Sequence, residues 1–215
     1  GIRTVIITGD HKYTVQAIVA ELGLKVPEKR IMIGSQLEEL TENQLLGVID
    51  KIDIFARVAP KHKLRIINAW KAKGEVVAML GDGVNDAPAL KAADIGIAIG
   101  DATDVAKETS DMILLDGNFA VVEAAIREGR IIFDNIRRSF LYLMSDSFTE
   151  IFLIALALFS GYPIPLIAIH ILWINIASDG VVNLALTVEP AEGDVMAYPP
   201  RKKDERIVSR EIITL

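Results

Sequence analysis

Residues 76–90 read Val-Val-Ala-Met-Leu-Gly-Asp-Gly-Val-Asn-Asp-Ala-Pro-Ala-Leu. Five apolar residues run straight into a loop of Gly, Asp and Asn, and a proline then stands near the start of a helical pattern. This spells a buried strand over Val76–Leu80, a tight turn, and a helix over Asp86–Ala93. The same alternation extends outward in both directions. Ile95–Ile99 and Met112–Leu115 read as two further strands. Upstream, Ile54–Ala56 is strand-like, and Pro60 suits the first turn of a helix running through Leu64–Lys73. Thr41-x-x-Gln44 is a capping-box signal for a helix through about Ile49. Val5–Ile7 and Arg30–Ile33 are strand candidates, with a helix over Tyr13–Leu22 closed by Gly23. Short apolar strands alternating with helices predict an α/β layer with a largely parallel sheet.

Ligands in such sheets sit outside the carboxyl ends of the strands. Two polar motifs fall there, Thr8-Gly9-Asp10 and Gly81-Asp82-Gly83-Val84-Asn85-Asp86. The glycines of the second permit close approach of a ligand to the backbone. Asp82 and Asp86 are carboxylates at a strand end, which suits Mg²⁺, a hard cation that often shares its oxygens with phosphate. Thr8 offers a hydroxyl and a backbone N–H to a phosphate oxygen. Lys63, near a helix start, offers a compact positive charge. Thr8-Gly9-Asp10 taken alone reads equally well as a turn capped by Asp10. His62 is expected at the surface, without a role.

Composition places the rest of the chain in a different solvent. Hydrophobic residues make up 51% of the 215 residues, and between Phe140 and Val188 the only charged residues are Asp146, Glu150 and Asp179. That excludes a purely water-soluble chain and a disordered one. The net charge of −6 argues against nucleic-acid binding. The absence of cysteine excludes disulfides and thiolate metal sites. Phe140–Ser160 and Ile164–Val188 are each long enough to span a bilayer, and Gly161-Tyr162-Pro163-Ile164-Pro165 separates them into a hairpin. Arg127, Arg130, Arg137 and Arg138 precede the first span, and Arg201, Lys202 and Lys203 follow the second. The positive-inside rule puts both flanks, and the α/β part with them, in the cytoplasm. The chain opens without Met and stops at Ile-Ile-Thr-Leu, so a fragment at both ends is expected, and no signal peptide is visible.

Polar residues inside the spans point to function. Ser147 and Glu150 share one face of the first helix, and Asn175, Ser178 and Asp179 share one face of the second. Gly180 weakens that helix locally. Two facing helices would present an oxygen-rich cage for a hard cation, with Asp146 offset by one position and secondary. Helix–helix hydrogen bonding is the plainer reading for the two serines.

These motifs together resemble the second half of a P-type cation-transporting ATPase of the type II, calcium-pump branch. Thr8-Gly9-Asp10, the Lys63 segment and Gly81–Leu90 resemble three motifs of its phosphorylation domain, which has the haloacid-dehalogenase-like, Rossmann-like fold. Trp173–Gly180 resembles the sixth membrane helix, and Ser147 to Glu150 the ion-binding stretch of the fifth. The resemblance implies a partial phosphorylation domain over 1–135, a membrane hairpin over 136–190, and a truncated cytoplasmic tail over 191–215.

By this resemblance Asp82 binds Mg²⁺, Thr8, Gly9 and Lys63 hold the phosphoryl group, and Asp10, Asn85 and Asp86 complete the catalytic set. Ser147, Glu150, Asn175, Ser178 and Asp179 ligate the transported cation. The partners implied are the lipid bilayer, the cation and the remainder of the pump, in an integral, multi-pass membrane protein that uses ATP and Mg²⁺. The Asp-Lys-Thr-Gly motif that is phosphorylated in the family is absent from these residues, so the chain alone is expected to be inactive. Ser147 stands where calcium pumps commonly carry Asn, and Ser178 where Thr is usual. Calcium is favoured, with Na⁺ or Mn²⁺ as alternative cargo. A split-pump subunit or non-catalytic membrane remnant is the alternative role. A soluble phosphatase of the same fold leaves the polar spans unexplained, and a soft-metal pump disagrees with the hard oxygen set.

Overall fold

The computed structural model describes residues 2–21, 23, 26–116, 119–201, 205 and 207. They form two compact units, Gly1–Val121 and Val122–Leu215.

The first unit follows the expected alternation. Its order is β1 (Ile6–Ile7), α1 (Lys12–Glu21), β2 (Ile31–Ile33), α2 (Gly34–Glu39), α3 (Glu42–Val48), β3 (Ile54–Ala56), α4 (Pro60–Ala72), β4 (Ala78–Gly81), α5 (Ala87–Ala92), β5 (Ile95–Ile99), α6 (Asp104–Thr109) and β6 (Met112–Leu114). Every ladder is parallel. Among the described residues the strands form two three-stranded sheets, ordered β1-β3-β2 and β4-β5-β6. Ile54 of β3 pairs with both Ile6 and Ile31, and Ile97 of β5 pairs with Leu80 and Met112.

Helix α4 serves two cores. Ile66 and Ala69 pack with Leu37, Leu45, Ile49 and Phe55, while the adjacent Ile67 packs with Met79, Leu90 and Ala98. Successive helical residues point about 100° apart, so one helix can close both layers. Its start is set by Pro60 in the first turn. Helix α3 starts as its sequence predicts. The Thr41 hydroxyl accepts from Gln44 N, and Gln44 Oε1 accepts from Thr41 N at 2.8 Å.

Several boundaries differ from the sequence reading. The strand expected over Val76–Leu80 occupies Ala78–Gly81, because Val77 is held by Asp94 instead, its N–H donating to Oδ2 at 3.0 Å. Leu22, expected to end α1, lies outside the described residues, as do Lys202 and Lys203. Helices α2 and α6, six residues each, had no sequence expectation. Such short helices show no apolar period, and they rest on caps: Gln36 Oε1 accepts from Ile33 N, and Thr103 Oγ1 accepts from Ala106 N.

The second unit is dominated by α7, which begins at Phe119 and runs unbroken to Phe159. Its 41 residues reach about 60 Å at 1.5 Å per residue. It ends in a Schellman turn. Gly161 has φ +75°, Tyr162 N donates to Ala157 O at 2.9 Å, and Gly161 N donates to Leu158 O at 3.2 Å. The second span, expected from Ile164, begins at Ala168 with α8 (Ala168–Trp173), four residues later. Pro163 and Pro165 lack N–H donors, and each biases its predecessor away from helix. At Ile174–Asp179 the helix widens into a π turn, in which Gly180 N reaches back five residues to Asn175 O, before α9 (Gly180–Thr187) resumes. Both helices are long and apolar enough to cross a membrane.

Side chains on α7 tie down the chain after the second span. Asn135, 5% exposed, donates to Glu189 O at 2.9 Å and Thr187 O at 3.3 Å. Arg130 donates to Val195 O and Tyr198 O, Arg138 pairs with Glu192 at 3.2 Å, and Arg201 pairs with Asp134 while lying 4.1 Å over the Phe133 ring. Asn135→Ala removes both carbonyl bonds and is expected to destabilise the hairpin by about 1–3 kcal/mol. Thermal unfolding in detergent checks this, and an unchanged midpoint would contradict it.

Candidate functional site

The motif loops of the first unit are joined by a chain of hydrogen bonds. Thr8 closes β1 and Val58 follows β3. Val58 N donates to Thr8 O at 3.2 Å, which ties the first loop to the segment leading into α4. Lys63, in the first turn of α4, reaches across to form an ion pair with Asp86 Oδ1. Asp86 itself sits in the turn after β4. Thr103 N then donates to Asp82 O at 2.9 Å, which fixes the same loop from the β5–α6 connection. The structure therefore brings Thr8, Lys63, Asp82 and Asp86 into one bonded framework, from segments more than 70 residues apart in the chain.

Gly81 is what allows the Asp86 placement. A Cβ on Gly81 would lie 2.7 Å from Asp86 Cβ and 3.0 Å from Oδ2. Asp86 is 7% exposed, and its carboxylate is balanced by the Lys63 ammonium. A buried charge needs such a partner. Asp82 differs. It is exposed, and among the described residues its carboxylate makes no hydrogen bond or ion pair. That is the donor a hard cation requires. The described residues contain no group of three His, Asp or Glu able to hold a metal by themselves. The set therefore fits Mg²⁺ only when phosphate or other chain segments share its coordination, as is common for this ion. Asn85 is also exposed.

The Thr8 expectation needs a correction. Its backbone N–H donates to Phe55 O at 2.9 Å within the ladder and is not available to a phosphate. Its hydroxyl is engaged locally, donating to Asp10 Oδ2 at 3.0 Å and accepting from Asp10 N at 3.1 Å. Asp10 O in turn accepts from Arg57 N at 3.0 Å. An anion at this loop would have to take the Thr8 hydroxyl from Asp10. Gly9 lies in open space, with only Val58 O near its would-be Cβ, at 4.0 Å.

His62 was expected at the surface and is buried, 4% exposed. Its Nδ1 accepts from Ala59 N at 3.0 Å, and its Nε2 lies 3.1 Å from Glu38 Oε1. The assigned roles make Nε2 the donor. His62 thus caps the helix that carries Lys63, and its ring packs against Gly34, whose would-be Cβ lies 3.1 Å from it. The signal in the sequence was its position two residues after Pro60, where a side-chain acceptor can reach back to the cap. Lys61 and then His62, bonding to Glu38, hold its carboxyl below the usual range. Arg57, also missed, adopts φ +51°, a left-handed conformation uncommon for a residue with a side chain. A surface cavity of about 450 Å³ lined by Lys12, Glu28, Ile31, Gln36 and Ile52 shares none of the motif residues.

In the second unit the polar span residues separate into two groups. Glu150 Oε1 and Asp179 Oδ1 are buried without a hydrogen-bond partner, and Asp179 is 6% exposed. Ser147, Asn175 and Ser178 are exposed. The π turn contains Asn175, Ser178 and Asp179, and such turns recur at functional sites because they disturb the regular carbonyl ladder. Asp146, read as secondary, also has a buried oxygen without a partner.

Known proteins match this division. Residues 1–94 match the family model of haloacid dehalogenase-like hydrolases, and residues 163–215 match that of the C-terminus of cation transporting ATPases. The chain is 46% identical over 213 residues to a calcium-transporting ATPase of Bacillus subtilis, covering 99% of this chain and 24% of the relative. It is 44% identical over 216 residues to calcium-transporting ATPase 1 of Saccharomyces cerevisiae, covering 99% and 23%. It is 42% identical over 214 residues to calcium-transporting ATPase type 2C member 1 of Homo sapiens, again covering 99% and 23%. The chain thus spans about a quarter of the length of the curated relatives it matches. With a haloacid-dehalogenase-like unit ahead of two long apolar helices, and these identities along nearly its full length, the chain belongs to the P-type cation-transporting ATPase family.

Proposed function

We propose that this chain is the phosphate-site and ion-site segment of an ATP-driven pump that moves Ca²⁺ across a membrane through an aspartyl-phosphate cycle. The observation that carries the reading is one chain holding both halves of such a machine. One half is the loop framework braced by Lys63 and Asp86. The other is a pair of apolar helices with the unpartnered buried carboxylates of Glu150 and Asp179. The calcium-transporting names of the relatives favour Ca²⁺ over Na⁺ or Mn²⁺ as cargo.

In this reading Asp82 holds Mg²⁺, which screens the phosphoryl charge when bound. Lys63 pairs with the Asp86 carboxylate in a confined site and faces the phosphoryl oxygens. Thr8, released from Asp10, donates its hydroxyl to the same group, with Gly9 leaving room for it. Asn85 orders the loop. The phosphorylated aspartate comes from outside these residues. Its strand has a natural seat, because β1 and β4 each carry a motif loop at the carboxyl end and, among the described residues, each has one edge unpaired. Unpaired edges are templates for another strand. The chain alone therefore forms no phosphoenzyme. Both flanks of the hairpin face the cytoplasm, where Arg127, Arg130, Arg137, Arg138 and Arg201 collect. The unbroken hydrogen bonding of α7 supplies a stiff element through which phosphorylation can shift Glu150.

The test is Glu150→Gln in the complete pump. Half-saturation by Ca²⁺ of phosphorylation from ATP is expected to rise about tenfold or more, with phosphorylation from inorganic phosphate retained. Equal loss of both would contradict the assignment.

A further inference from the structure

The second unit holds more acceptor oxygen than the expected cation set uses. Besides Glu150 Oε1 and Asp179 Oδ1, Asp146 Oδ2 and Asn183 Oδ1 are buried and have no hydrogen-bond partner. Leaving one such oxygen unsatisfied is costly, and a charged one more so. All four are acceptors, and no Lys or Arg occurs between 140 and 188 to serve them. Acceptor oxygens without donors suit a hard cation.

The placement is regular. Asp146 and Glu150 are four residues apart on α7, on one stripe. Asp179 and Asn183 are four apart on the second span, on one stripe. Asn183 Nδ2 donates to Asp179 O at 2.8 Å, which commits the amide nitrogen and leaves its oxygen over. Among the described residues no three acidic or histidine side chains stand close enough to hold a metal by themselves, so the two stripes would have to close on the ion together with other segments of the pump. Asp179, 6% exposed with Oδ1 unpartnered, fixes the buried side of the second helix. Ser147, in contrast, is exposed.

We propose that Asp146 and Asn183 are ligands of the transported cation, adding one carboxylate and one amide oxygen to Glu150 and Asp179. The inference rests on the pump reading above. It also accounts for the short side chain at Ser147: the oxygen that Ser147 supplies with less reach than Asn is supplied by its neighbour Asp146.

Asp146→Asn and Asn183→Ala test it in the complete pump, beside the unchanged protein and Glu150→Gln. Two quantities are read for each: the Ca²⁺ concentration that half-saturates phosphorylation from ATP, and phosphorylation from inorganic phosphate without Ca²⁺. Asp146→Asn keeps the shape and one oxygen and removes the charge. It is expected to raise half-saturation about tenfold, and Asn183→Ala about threefold or more, with the inorganic-phosphate reaction retained in both. If Glu150→Gln weakens Ca²⁺ dependence while Asp146→Asn and Asn183→Ala leave it unchanged, the two residues are not ligands and the pump reading survives. Parallel loss of the inorganic-phosphate reaction in Asp146→Asn would make the residue structural and also overturn the proposal. An unchanged protein with no Ca²⁺-dependent phosphoenzyme would overturn the pump reading itself.

Discussion

Lys63→Met is expected to destabilise the first unit by about 3–5 kcal/mol and to abolish phosphorylation in the complete pump. An exposed ion pair would be worth under about 1 kcal/mol. Burial decides between these magnitudes. The Lys63 and Asp86 side chains are 16% and 10% exposed, and Asp86 lies close against Gly81. Removing Lys63 leaves an uncompensated carboxylate in that position. The double variant Lys63→Met/Asp86→Leu removes the charge as well, and most of the lost stability is expected to return. Activity is not expected to return, since neither replacement can face a phosphoryl group. Urea unfolding followed at Trp70, which lies on α4, reads the stability. A single variant costing under about 1 kcal/mol would show that the pair behaves as a surface pair.

Gly34→Ala carries the second large effect, and its control changes sign. The added Cβ would lie 2.3 Å from Arg57 O, a backbone atom. Arg57 cannot readily retreat. It is already held at φ +51°, and its N–H donates to Asp10 O in the first motif loop. Overpacking against backbone is expected to cost about 3 kcal/mol or more and to disturb the Thr8–Asp10 turn. Gly47→Ala makes the same chemical change in the last turn of α3, where nothing lies within 4 Å of the new atom. There the gain in helix propensity is expected to stabilise by about 0.5–1 kcal/mol. Equal midpoints for the two variants in a urea titration would refute the steric argument.

Much of the framework could be read from local pattern. The strand–loop–helix of residues 76–90 stands within two residues of its expected place, and α3 begins at the Thr41 cap that its sequence announces. The turn between the spans also falls at the Gly161–Pro165 breaker. These features depend on backbone chemistry and on residues three or four apart, which a sequence displays directly. The misses are of another kind. Helices α2 and α6 are too short to show a period. The second span starts late because two prolines outweigh the apolarity of the residues around them.

By itself the sequence determined the alternation of strands and helices, the loops that end the strands, two apolar spans and the oxygen chemistry inside them. Tertiary structure decided the burial and the partners of those groups. It paired Lys63 with Asp86 across 23 residues, took the Thr8 N–H into a ladder with Phe55, buried His62 beneath Gly34, and left Asp146 and Asn183 without donors while exposing Ser147 and Ser178. The reason is physical. A residue's type sets what it can bond, but burial and partner are set by packing between segments far apart in the chain. A carboxylate's role therefore changes from solvated surface group to paired core charge or cation ligand without any change in its local sequence.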